Sequence, residues 1–170
     1  MSGILLANGT LFDKLETHKQ GLKHYAFSVF LFNKNGELLL QKRAVNKYHS
    51  GGLWSNTCCS HFRNENEFQN KEITAKQRLK EELGIDFTGD LQLMKLFEYQ
   101  AQVGDLIENE MDYIFTGEIN DDIANISKNI NKNEAEEVKF VSLNELKNDI
   151  KIHDNFYTEW LKLILNNNIF

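Results

Sequence analysis

The chain's only two cysteines stand side by side in LWSNTCCSHF, residues 53 to 62, with a histidine two places on. In an extended segment side chains alternate between faces, so Thr57, Cys59 and His61 share one face and Cys58 points to the other. One thiol then joins the histidine, while the other packs as a small apolar group. The competing reading is a Cys-x-His pair that is purely structural. LIENEMD, 106 to 112, follows the same rule: Glu108 and Glu110 share a face that Asn109 opposes. Like charges on one side of a strand repel unless water or a cation reaches both. An exposed edge satisfies this, and so does a metal. His18 and His24, in DKLETHKQGLKHYAF, join His61 to make three imidazoles. With the two carboxylates, that set suits a divalent ion of the zinc, manganese or iron type.

The cations form a second group. QKRAVNKYHSGGLWSN holds Arg43 and Lys47 ahead of a glycine pair, and Arg78 lies one helical turn before Glu82. Arg78 and Glu82 read either as a surface ion pair, worth about 0.3–0.5 kcal/mol, or as part of a site. In the second case Arg43, Lys47 and Arg78 hold a phosphate or diphosphate, which suits the arginine fork. Trp54 and Trp160 are the only tryptophans. Core packing is the default for both, and an indole face is also the best π partner for a positive charge.

Several elements must position these residues. HYAFSVFLF and ELLLQKR flank NKNG, and Asn35-Gly36 predicts a hairpin. ITAKQRLKEELGI reads as a helix, with Ala75, Leu79 and Leu83 on one face and Gly84 at the left-handed cap. Strands are expected over 91–102, 110–119 and VKFVSL, the last leading into a helix with Ser142 and Glu145 as a capping box. The tail, 154–167, opens on Asp154 and carries Phe156, Trp160, Leu163 and Ile164 at helical spacing. The Asn-rich stretch 118–137 reads as a long surface connection with some helix. Mixed strands and helices imply an α+β or α/β sandwich with a mixed sheet, as one domain over 1–170.

Composition narrows the function classes. A length of 170 residues suits one domain. A net charge of −6 argues against a nucleic-acid surface but leaves room for a local cation cluster. No apolar run suggests a membrane span, and the N-terminus lacks the marks of a secretory signal. Adjacent cysteines are too close for a disulfide, so two free thiols in the cytoplasm are expected.

GLWSNTCCSH, RLKEELGI and IENE, in this order and spacing, resemble type 1 isopentenyl diphosphate isomerase, a member of the Nudix superfamily, from about residue 4 to residue 165. The first and last motifs are specific to that isomerase, and the middle one is the general Nudix signature. The resemblance implies a Nudix-type α/β/α sandwich. It implies a tightly bound divalent metal (Mn2+, Zn2+ or Mg2+) on His18, His24, His61, Glu108 and Glu110. Cys59 and Glu110 become the catalytic pair, assisted by Tyr99, with Trp160 of the YTEW motif facing a carbocation. Lys14, Arg43, Lys47 and Arg78 meet the diphosphate, and Glu82 meets its Mg2+. The implied reaction interconverts isopentenyl and dimethylallyl diphosphate by protonation and deprotonation through a tertiary cation, supplying isoprenoid biosynthesis. A small-molecule diphosphate is the expected partner, without nucleic acid or membrane, for a monomer or homodimer.

The sequence departs from the family where Pro-Gly becomes Gly51-Gly52 and Cys-Gly-His becomes Cys59-Ser60-His61. Glu81, beside Glu82, is ordinary in Nudix hydrolases, which are the runner-up reading. Against a hydrolase, the Arg-Glu positions of the hydrolytic box hold Gln77 and Arg78, and its upstream Gly and Glu positions hold Arg63 and Gln69. A third reading is a metal or ligand sensor on the same fold.

Overall fold

The computed structural model describes residues 3–170; Met1 and Ser2, the start of the expected 1–170 domain, lie outside the described residues. In chain order the elements are β1 (Gly3–Leu5), β2 (Leu11–Asp13), α1 (Lys14–Gln20), β3 (His24–Phe32), β4 (Glu37–Arg43), β5 (Trp54–Ser55) and β6 (Cys58–His61). Then follow α2 (Glu65–Gln69), α3 (Lys71–Leu83), β7 (Gln92–Val103), β8 (Leu106–Glu118), α4 (Ile123–Asn129), β9 (Ala135–Ser142), α5 (Leu143–Ile152), a 3-10 turn (Asp154–Phe156) and α6 (Glu159–Asn166).

The main sheet runs β5-β4-β3-β8-β7, with β6 also on β3 and β9 also on β4. The β3–β8 pairing is parallel and the others antiparallel, so the sheet is mixed. Alternation along β3 builds two apolar layers. Phe27, Val29 and Leu31 pack with Ala75, Leu79 and Leu83 of α3 and Ile126 of α4. Phe30 faces the opposite layer, with Leu146 of α5 and Trp160, Leu161 and Ile164 of α6. The result is an α/β/α sandwich.

Within it, the sheet forks. β3 pairs with β4 at Phe32–Leu38 but with β6 along Ala26–Val29. The buried Thr57 hydroxyl sits between the two branches: it accepts from Leu31 N–H at 2.9 Å and donates to Leu39 C=O at 2.6 Å.

The local signals hold at the Asn35-Gly36 turn, where Gly36 has φ 74°, and at the α3 cap, where Gly84 has φ 68°. Both capping-box bonds of Ser142 and Glu145 form. Two expectations are corrected. The tail helix begins at Glu159, not Asp154, because Tyr157 bridges to Trp54 and Thr158 N–H bonds Trp54 C=O at 3.0 Å, holding the chain extended. Phe156 therefore leaves the apolar stripe and is 52% exposed. The strand expected from 110 begins at Leu106, so Glu108 and Glu110 lie inside β8. The stretch 118–137 contains α4 and the start of β9. Among the described residues no helix is long and apolar enough to cross a membrane.

Candidate active site

Pairing register gathers the chemical side chains on one sheet face. His24, Glu110 and Tyr99 form one row across β3, β8 and β7. His61, Ala26 and Asp112 form the next, and Cys59 stands opposite Ser28 beyond it. Small residues on β3 thus separate Cys59 on β6 from Glu110 on β8. Cys58 points the other way, into the α3 layer, fully buried.

Three imidazoles converge because backbone carbonyls orient two of them. His18 Nδ1 bonds Lys14 C=O at 2.6 Å, and His24 Nδ1 bonds Leu22 C=O at 2.8 Å. A carbonyl can only accept, so each Nδ1 carries a proton, and Nε2 is the nitrogen turned to the carboxylates and able to ligate once it is deprotonated. Donor atoms of His18, His24, His61 and Glu108 lie within 4.8 Å of one another. Glu110 Oε1 joins them, 3.0 Å from His61 Nε2 and 3.5 Å from His24 Nε2. His24 Nε2 and Glu108 Oε2 are buried without a hydrogen-bond partner. Orphaned buried atoms of complementary ligand type, in a nitrogen-and-carboxylate set, fit a divalent cation.

The electrostatics agree. Burial raises the Glu108 carboxyl, but the close imidazoles of His18, His24, His49 and His61 outweigh it and hold the group well below the usual range. Burial and the Glu108 charge push Glu110 up, and His24 and His61 bring it below normal. Burial opposes charge on His24, yet the facing Glu108 and Glu110 carboxylates lift it to about 10. The pocket therefore demands positive charge, which a metal provides on releasing that proton. Burial pushes the Cys59 thiol up to about 12, with the charge of Arg43 pulling the other way. Burial also holds Tyr99 well above an ordinary phenol, and its hydroxyl donates to Glu110 Oε2 at 2.7 Å.

A partly open pocket is lined by Lys14, Arg43, Lys47, Cys59, His61, Arg78, Glu82, Tyr99, Glu108, Glu110 and Trp160, together with Tyr48 and His49. All four expected cations are among them. Lys14 lies 4.3 Å from the Tyr48 ring centre, and its pKa falls to about 8 through burial and the neighbouring Lys47 charge. Arg43 stands 5.1 Å from the Trp160 ring centre. Lys47 pairs with Glu134, and Arg78 lies 2.6 Å from Glu82 and 3.8 Å from Glu134. Glu82 is buried, so the exposed-pair reading of Arg78 and Glu82 fails. Glu82 stands apart from the histidine cluster and also accepts from Gln41 at 2.9 Å.

The Trp-Ser-Asn motif gains a reason. The Trp160 indole N–H points at Ser55 Oγ, 3.0 Å away, and Asn56 Oδ1, 3.1 Å away, which fixes its ring plane from the opposite end of the chain.

Tyr48, His49, Asp112 and Glu134 escaped sequence reasoning. Alternation along β8 places Asp112 on the face of Glu108 and Glu110, so that signal was present. Ser28 donates to Asp112 at 2.7 Å, while burial and the Glu110 charge push Asp112 well above the usual carboxyl range. Tyr48, His49 and Glu134 lie in loops, where no period applies.

Residues 22–162 match the NUDIX domain family. The chain is 41% identical over 153 residues to isopentenyl-diphosphate Delta-isomerase 2 of Aromatoleum aromaticum, covering 89% of this chain and 76% of that protein. It is 40% identical over 154 residues to isopentenyl-diphosphate Delta-isomerase 2 of Photorhabdus laumondii, covering 90% and 81%. A solved Deinococcus radiodurans protein superposes with a TM-score of 0.67 at 11% identity, covering 95% of both chains. The MutT protein from Methanosarcina mazei does so at 0.58 and 16%, covering 85% and 91%. These two likenesses concern the fold alone. Identity of this order across most of both chains places the protein in the isopentenyl-diphosphate Delta-isomerase family, built on a NUDIX domain.

Proposed function

We propose that the chain interconverts isopentenyl diphosphate and dimethylallyl diphosphate. The observation that carries this reading is the presence of Cys59 and the Tyr99–Glu110 pair in one cavity, beside a metal-type cluster and under the Trp160 ring. Moving a double bond by one carbon needs a proton added to the terminal carbon and another removed from the carbon beside the resulting tertiary cation. Two proton-transfer groups must therefore reach the substrate. Tyr99–Glu110 and Cys59 fill these roles; whichever gives a proton in one direction recovers it in the other.

His18, His24, His61, Glu108 and Glu110 would hold a divalent ion, whose charge, when bound, orders and polarises the Glu110 carboxyl. Trp160 offers its π face to the cation, a stabilisation of about 2 kcal/mol when desolvated. Phe27, Cys59 and Trp160 form the apolar part of the lining, the place where water, which would trap the cation as an alcohol, must be kept out. Lys14, Arg43, Lys47 and Arg78 anchor the diphosphate, and Glu82 meets the Mg2+ that accompanies it as part of the substrate. Anchoring contributes position rather than bond chemistry.

Purified protein with isopentenyl diphosphate and Mg2+ should form dimethylallyl diphosphate. Cleavage of nucleotide sugars to a nucleoside monophosphate and a sugar phosphate, with no isomer formed, would instead establish the hydrolase.

A further inference from the structure

The loop between β4 and β5 carries a fourth imidazole into the centre. Its backbone is tightly specified. Ser50 adopts a left-handed φ of 51° and Gly52 one of 76°, and a Cβ on Gly51 would stand 2.4 Å from Val45 C=O. Gly52 N–H returns to Arg43 C=O at 3.0 Å, closing the loop. This is where Gly51-Gly52 replaces Pro-Gly, and the turn aims His49 inward. The side chain is 6% exposed, and its Nε2 lies 2.6 Å from Glu108 Oε1. The other oxygen of Glu108, Oε2, faces His18 at 3.2 Å, His24 at 3.7 Å and His61 at 3.9 Å.

His49 is held from every side. Its Nδ1 meets Ser50 Oγ at 3.2 Å, a hydroxyl able to donate to it and leave the proton on Nε2. Its ring stands edge-on to Trp160 at 5.8 Å and to Tyr48 at 4.1 Å, and its carbonyl accepts from Arg43 at 3.3 Å. The Nε2–Oε1 contact is close but not aligned as a hydrogen bond, and Nε2 has no other partner.

We infer that His49 is a positioning residue of the metal centre: its Nε2–H braces Glu108 Oε1, so that Oε2 is the oxygen turned to the ion. Outer partners of this kind orient ligating carboxylates, and their loss typically costs about 10–100-fold in metal affinity. The inference rests on the metal centre of the proposed function but not on the reaction.

The test is Zn2+ and Mn2+ affinity by chelator competition on the metal-stripped full chain, without substrate. His49→Leu, which keeps bulk but has no donor, should bind each ion about 10–100-fold more weakly. His49→Gln, whose amide N–H reaches to a similar distance, should recover most of that loss. The metal-free forms should melt together, because the bracing concerns the ion rather than the fold. If His49→Leu does not fold, His49→Ala replaces it. Unchanged affinity in the donor-less variant overturns the inference, and so does an equal loss in His49→Gln. A wild-type chain that binds the ion without isomerising isopentenyl diphosphate refutes the proposed function and leaves this inference standing.

Discussion

At the scale of single residues, the two neighbouring thiols have opposite environments for a simple reason. Period-two alternation sends Cys58 into the α3 layer and Cys59 toward the cavity. Cys59→Ala should lower turnover of isopentenyl diphosphate by about 10²–10⁴-fold, the usual weight of a general acid–base group. Cys58→Ala should keep most of the turnover, read in the same assay. Lys14 sets a pH dependence. With its pKa at about 8, the free protein loses this charge as pH rises through that value. The KM for the diphosphate should therefore climb above about pH 8, and Lys14→Met should raise KM and flatten the rise. The same shift has a stability sign. The folded chain releases the Lys14 proton before the unfolded chain does, so this group's contribution to stability increases between about pH 8 and the ordinary lysine value. Cys59, His61, Glu108 and Glu110 were legible because strands have a period. His49 and Glu134 were not, because their placement depends on loop backbone and on which strand lies opposite.

At the scale of elements, the sequence signals that held were those closed within one turn: Gly36, Gly84 and the Ser142–Glu145 box. The tail helix was read five residues too early because its true start depends on Trp54, some hundred positions away, pairing with Tyr157. The β4–β5 loop offers a direct test. Gly51→Ala forces a methyl group against Val45 C=O, a backbone atom that cannot turn aside. It should destabilise the fold by about 1–3 kcal/mol, read as a lower urea midpoint. It should also weaken diphosphate binding, since the same loop carries Lys47.

For the molecule as a whole, the proposed metal site is coupled to the fold. Two buried carboxylates beside four imidazoles are costly without a cation. At about a hundredfold excess of free ion over Kd, binding to the folded state alone adds about 2.7 kcal/mol. That should lift Tm by roughly 5–10 °C in a thermal scan, reversed by a chelator. The sandwich itself was readable from the order of its strands and helices, but the fork was not, since nothing in the composition of β3 announces a change of partner. At that fork one hydroxyl joins both branches directly. Thr57 works as a rivet between two diverging ribs, taking one amide and giving its proton to one carbonyl. Thr57→Val keeps the shape and pulls the rivet, stranding both backbone groups at about 1–3 kcal/mol each. The Leu31 amide should then exchange with deuterium far sooner than in the wild type, a local loosening felt at the junction long before the sheet as a whole gives way.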